Sequence, residues 1–230
     1  MSLFLSRLCV NVHRRKVQHD LADCSAMHRR VLEAFPQAPG VGNARDHFGI
    51  LYRVETLRDQ VVIIVQSATE PDWSRLPSEY LSTNPEVKPI DALLDHIQAG
   101  IALRFRLVAN PTRRISNSNV LEVATSYGKR VPVLGEEQQL AWLTRKGKQC
   151  GFVLLPVHLA PVSDVRIMPQ AESGGQRGST GRVTLGSVRF DGRLCVIDAE
   201  RFRQALVDGI GSGKAFGMGL LSVAPDDGHA

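Results

Sequence analysis

The chain has 230 residues, 43% of them apolar and 22% charged, with a net charge of +5 and a pI near 9.3. This suffices for one large or two small domains with real cores, and no run approaches the roughly 20 apolar residues that a bilayer span requires. The basic excess suits a polyanionic partner such as nucleic acid. The opening Met-Ser-Leu-Phe-Leu-Ser-Arg places its apolar residues ahead of its charge, which is not the pattern of a signal peptide. Cys9, Cys24, Cys150 and Cys195 are scattered, with no Cys-x-x-Cys. They predict neither a zinc site nor a disulfide framework, and a reducing cytoplasm is the expected compartment.

Taken in chain order, Leu3 to Val12 reads as a strand, closed by the basic turn His13-Arg-Arg-Lys16. Asp20 is a plausible N-cap for a helix over 21–35, with Cys24, Met27, Val31 and Phe35 on one stripe. After a loop from Pro36 to Gly42, Phe48–Val54 and Val61–Gln66 read as two strands. A short helical or irregular piece around Pro77 to Leu81 and the Pro-flanked Asn84–Pro89 complete a β-α-β-β-α-β order, with the domain boundary placed between Asn84 and Gly100. Ile101–Ala109 is a strong strand with Ile101, Leu103, Phe105 and Leu107 on one face and Arg104 and Arg106 on the other. A helix over Glu136–Lys146, a strand at Phe152–Leu155 and a mobile loop over 170–181 follow. Val183–Phe190 and Leu194–Ile197 read as a hairpin turning at Asp191-Gly192. A helix over 200–208, a glycine loop and the run Leu220–Val223 close a second β-α-β-β-α-β unit. The expected fold is α+β, two tandem ferredoxin-like domains over 1–90 and 100–230.

Three features carry candidate chemistry. Between Arg104 and Arg130, the cations Arg104, Arg106, Arg113, Arg114, Lys129 and Arg130 stand against one acid, Glu122. Such a stripe tracks a phosphate backbone or is simply a solvated face. His28 lies mid-helix, beside Arg29 and Arg30, as a candidate general acid or base or as an ordinary surface histidine. Gly209-Ile-Gly-Ser-Gly-Lys-Ala-Phe-Gly-Met-Gly219 surrounds Lys214 with glycines, so bare backbone N–H groups and one charge suit an anion; a flexible turn is the plainer reading. It is not a Walker A loop, because Asp208 replaces the first glycine and Ala215 follows the lysine. Nor does it follow a strand, as a dinucleotide fingerprint does. The remaining histidines and the acids show no metal-ligand spacing, and no metal or cofactor is expected.

Several blocks together resemble one family, the CRISPR repeat-processing endoribonucleases of the type I-E effector complex, its CasE subunit. They are Leu5-Ser-Arg-Leu8; Ala26-Met-His-Arg29 leading to Phe35-Pro36; Leu51-Tyr-Arg53; Val65-Gln-Ser-Ala-Thr-Glu-Pro-Asp-Trp-Ser74; Leu103-Arg-Phe-Arg-Leu-Val-Ala-Asn-Pro-Thr112; Gly128-Lys-Arg-Val131; Gln139-Leu-Ala-Trp-Leu143; and the glycine loop running into Leu220-Leu-Ser-Val-Ala-Pro225. The resemblance implies two ferredoxin-like domains and metal-independent cleavage of precursor CRISPR RNA at the 3′ base of each repeat hairpin. A 2′-hydroxyl would attack the adjacent phosphorus, leaving a 2′,3′-cyclic phosphate and a 5′-hydroxyl. It also implies a retained product and companion subunits of the effector complex.

The family's catalytic histidine falls on His28, and its tyrosine, three residues earlier, falls on Ser25, a shorter and far less acidic hydroxyl. His28 and Ser25 are therefore the catalytic candidates. Arg29, Arg104, Arg106, Arg113, Arg114, Lys129, Arg130, Gly211, Gly213 and Lys214 are the RNA-binding candidates. The Ser25 departure keeps open a non-cleaving RNA-binding subunit. A base-stacking RNA module fits less well, since only 6% of residues are aromatic and no Lys/Arg-Gly-Phe-Gly-Phe-like strand occurs.

Overall fold

The computed structural model describes residues 2–37, 43–57, 60–114, 130–161, 165–167 and 183–226. Lys129 and the 170–181 loop lie outside the described residues. The first half contains β1 (Phe4–Val10), α1 (Arg15–Ala22), α2 (Cys24–Leu32), α3 (Ala44–His47), β2 (Leu51–Leu57), β3 (Gln60–Ser67) and β4 (Glu86–Pro89). Its sheet has the order β2-β3-β1-β4, antiparallel throughout. The second half contains α4 (Asp91–Asp95), β5 (Ala102–Ala109), β6 (Thr112–Arg114), β7 (Arg130–Pro132), α5 (Glu136–Gln149), β8 (Phe152–Pro161), β9 (Val165–Ile167), β10 (Val183–Leu185), β11 (Val188–Val196), α6 (Ala199–Asp208) and β12 (Leu221–Pro225). Its main sheet is ordered β12-β5-β11-β8, with β6-β7 and β9-β10 as separate pairs. Both four-stranded sheets place the fourth strand beside the first and the third between first and second, which is the ferredoxin-like order. The fold is two tandem ferredoxin-like domains.

Each sheet carries a hydrophobic core on the face that packs against its helices. Leu8, Val10, Ile63 and Val65 meet Met27, Val31 and Phe35 from the α2 segment in the first core. Leu103, Phe105 and Leu107 meet Trp142, Leu143, Phe202 and Leu206 from α5 and α6 in the second. The alternation expected for β5 therefore holds, and Arg104 and Arg106 lie on the sheet face away from those helices.

Three expectations need correction. The helix read over 21–35 is two helices, because Asp23 is extended (φ −129°, ψ 108°), and its carboxylate accepts the Ser25 N–H at 2.9 Å to start α2. Asp20 is not a cap; it is buried, accepting from Arg30 Nε at 2.7 Å and the Tyr80 hydroxyl at 3.0 Å. Asp191-Gly192 is not a turn, since β11 runs straight through it. A register shift lies between Gly192 and Leu194, and a Cβ at Gly192 would stand 2.7 Å from the Pro156 carbonyl. The segment from Asn84 to Gly100, where the boundary is expected, is packed onto both domains. Glu86–Pro89 pairs with β1, its Pro89 tolerated on an edge strand, and Leu94 and Ile97 pack into the second core.

Candidate active site and nucleic-acid interface

His28 stands one turn into α2 from Cys24, on the same side of the helix. Its ring stacks on the Tyr52 ring, with centroids 6.4 Å apart and planes at 20°. The Nδ1 atom is buried and has no hydrogen-bond partner among the described residues. Burial first, and the Arg45 charge second, push the imidazole below its ordinary pKa near 6.5, so His28 is neutral at pH 7. Among the described residues, no carboxylate orients it as in a Ser-His-Asp triad. Ser25 lies one turn before His28, its backbone N–H taken by Asp23.

Tyr52 is buried beneath this helix end. Its hydroxyl donates to the Ala215 carbonyl at 3.1 Å and lies 3.4 Å from the Cys24 carbonyl. Burial, with Cys24 and Asp23 adding, pushes the phenol well above its usual value, so it stays protonated. The Cys24 thiol is pushed up to about 11, again by burial first and Asp23 second.

The glycine loop is ordered rather than slack. Gly209, Gly211, Gly213, Gly217 and Gly219 all have φ between +74° and +90°. Ile210 N–H donates to the Gly219 carbonyl at 2.9 Å, and Gly219 N–H to the Val108 carbonyl at 2.7 Å. The loop's single 3-10 turn, Lys214–Phe216, packs against α2 and β2. On its other side, Gly211, Ser212 and Lys214 line a cleft of about 380 Å³ together with Arg113, Arg114, Arg130, Arg145 and Lys146. None of these five cations has an ion-pair partner among the described residues. Burial, then the Arg45 charge, lowers the Lys214 pKa. Arg45, on α3, is half-buried beside Asp46, and its charge is felt by both His28 and Lys214.

The structure thus brings Arg113, Arg114, Arg130, Gly211 and Lys214 to one cleft, and that cleft shares the glycine loop with His28. Gly213 supplies a left-handed turn (φ +81°) against Met218 rather than a wall of the cleft. Arg29 does not line it but lines a second cleft of about 440 Å³, with Arg15, Lys16, His19 and Arg30 beside the acids Asp20 and Glu33. Arg104 and Arg106 do not join either group. Arg106 is held by Asp191 at 2.5 Å and Glu55 at 3.0 Å, and Arg104 Nε donates to the Pro225 carbonyl at 3.1 Å. Both line a separate hollow between the open faces of the two sheets. Arg145, Lys146, Arg45 and Tyr52 were not among the sequence candidates. A basic pair late in α5 is a faint signal for the first two, whereas Arg45 and Tyr52 join the site only through tertiary packing. No group of three or more His, Cys, Asp or Glu able to hold a metal occurs among the described residues.

The model of a family described as "CRISPR associated protein" matches residues 3–225. The chain is 35% identical over 229 residues to the CRISPR-associated endoribonuclease Cse3 of Thermus thermophilus, covering 97% of this chain and all of that one. It is 32% identical over 207 residues to the CRISPR system Cascade subunit CasE of Escherichia coli, covering 88% and 92%. A solved structure of Thermus thermophilus Cse3 bound to an RNA representing a pre-cleavage complex superposes with a TM-score of 0.75. The identity is 34%, over 98% of this chain and 100% of that one. On this match across nearly its whole length, the chain belongs to the CRISPR-associated protein family that contains Cse3 and CasE.

Proposed function

We propose that this protein is a metal-independent endoribonuclease that grips a CRISPR repeat hairpin in the cationic cleft and cuts the precursor RNA beside His28. The observation that carries the reading is the sharing of one wall. Lys214 faces the cleft of unpaired arginines while the next residue, Ala215, is tied through Tyr52 to the helix of His28. A phosphate backbone held by the cleft therefore runs toward the imidazole. The relatives support it: Cse3 is named an endoribonuclease, and CasE a Cascade subunit.

The chemistry fits the groups present. A neutral imidazole accepts the 2′-hydroxyl proton as that oxygen attacks phosphorus, and the imidazolium so formed returns the proton to the departing 5′-oxygen. Lys214 and Arg45 are the cations placed to offset charge on the phosphorane. The Ser25 hydroxyl, in the place of the family's tyrosine, is a weak acid, and Tyr52 is too buried to replace it. His28 therefore works with these cations alone. The product stays gripped by the same cleft as part of the effector complex.

The test is labelled repeat RNA incubated with the protein in EDTA. Cleavage at the 3′ base of the stem, giving a 2′,3′-cyclic phosphate and a 5′-hydroxyl, is the expected result. Tight binding without cleavage would mean a structural RNA-binding subunit instead, and cleavage only with added divalent ions would refute the metal-independent mechanism. His28→Ala should lose about 10²–10⁴-fold in rate while still binding the hairpin.

A further inference from the structure

The role of Tyr52 extends the reading above and rests on it. Its ring lies under His28, and its hydroxyl reaches two backbone carbonyls from different domains: Cys24 in the first turn of the His28 helix, and Ala215 in the glycine loop. The loop closes on the ring as well, for a Cβ at Gly217 would stand 3.2 Å from Tyr52 Cε2. We propose that Tyr52 is a positioning residue: its hydroxyl clasps the RNA-gripping loop to the first turn of α2, and its ring seats the imidazole of His28 for reaction. Binding of RNA phosphate at Lys214 and the setting of His28 are thereby joined through one side chain.

The physical argument has three parts. A phenol buried this deeply must place its proton, and among the described residues the carbonyls it reaches are these two. A carbonyl left without that donor swings toward water, and the loop moves with it. Among the described residues His28 has no polar partner at Nδ1, so stacking on Tyr52 and packing within α2 are what hold its ring. Opening the contact lets water reach the imidazole, which relieves the burial that keeps it neutral; the Arg45 charge, from α3, remains.

Tyr52→Phe is the discriminating variant, since it keeps the ring and removes only the clasp. Two quantities are read: the His28 titration midpoint by NMR in the free protein, and the single-turnover rate on repeat RNA at saturating protein. The expected result is a midpoint moved up toward 6.5, and a single-turnover rate at saturating protein reduced about tenfold. A variant with the wild-type midpoint and the wild-type rate would overturn the proposal, whatever its thermal stability. Wild-type protein that leaves repeat RNA uncut would overturn the endoribonuclease reading instead. The midpoint, measured without RNA, would still decide whether Tyr52 seats His28.

Discussion

A histidine that serves phosphoryl transfer must exchange a proton near neutral pH, and the surroundings of His28 set which form it starts in. Burial and the Arg45 charge both disfavour the imidazolium. Removing the like charge must therefore raise the pKa, so in Arg45→Gln the His28 midpoint should rise by NMR; an unmoved or lower midpoint would show that Arg45 does not act on it. The same displacement couples to folding. The folded value lies below the unfolded value of about 6.5, so the unfolded chain takes up a proton first as pH falls. The contribution is absent above about pH 6.5, and stability is lost below it, down through the folded value. Wild type should thus lose stability relative to His28→Gln between pH 7 and 5 in denaturant titrations. At this scale the sequence marked His28 as a candidate by its place beside an apolar helical stripe, and the family resemblance, not the stripe, gave it a catalytic role. Tyr52 and Arg45 were hidden because strand β2 and helix α3 reach α2 only through the folded packing.

The glycine loop illustrates what element-level reading can reach. Five glycines around one lysine suggested an open backbone, and all five do adopt positive φ. Their reasons differ, however, and the sequence could not separate them. A Cβ at Gly209 would stand 2.8 Å from both the Gly219 carbonyl and a Leu51 methyl, so it would collide with rigid backbone and with the other domain. A Cβ at Gly213 meets only the flexible end of Met218, at 3.1 Å. Gly213→Ala should cost about 1–2 kcal/mol, the left-handed backbone penalty alone. Gly209→Ala adds overpacking of about 1–3 kcal/mol to it. Urea unfolding of the two variants should show that order, and equal losses would mean the loop relaxes around either methyl. The Asp191-Gly192 misreading has the same root. That dipeptide is a strong turn signal, but here the glycine makes room for strand β8 crossing beside it, and close approach of a sequence-distant strand leaves no local trace.

Across the whole molecule, a polar tie joins the two domains at the open faces of their sheets, apart from the cleft proposed to grip RNA. The tie is centred on Arg53, which is buried, pairs with Glu55 at 2.6 Å and donates to the Leu220 carbonyl and the Ser222 hydroxyl, each at 3.0 Å. Gln66 adds a bond to the Leu206 carbonyl at 2.8 Å. Arg53→Ala leaves Glu55 partly uncompensated and should cost about 3–5 kcal/mol in denaturant unfolding. The same network absorbs Arg106, and this bears on which cations face RNA. Fixed charges already matched by Glu55 and Asp191 release few counterions when a phosphate approaches, whereas unpaired ones release about one each. Neutralising Arg113 and Arg145 to glutamine should therefore flatten the log–log dependence of hairpin affinity on salt by about 0.7–0.9 per lost phosphate contact. Arg106→Gln should leave that slope unchanged while lowering stability, because the loss falls on the domain tie. If it flattens the slope as much as loss of either cleft arginine, RNA also crosses the open sheet faces, and the one-sided grip proposed here is wrong.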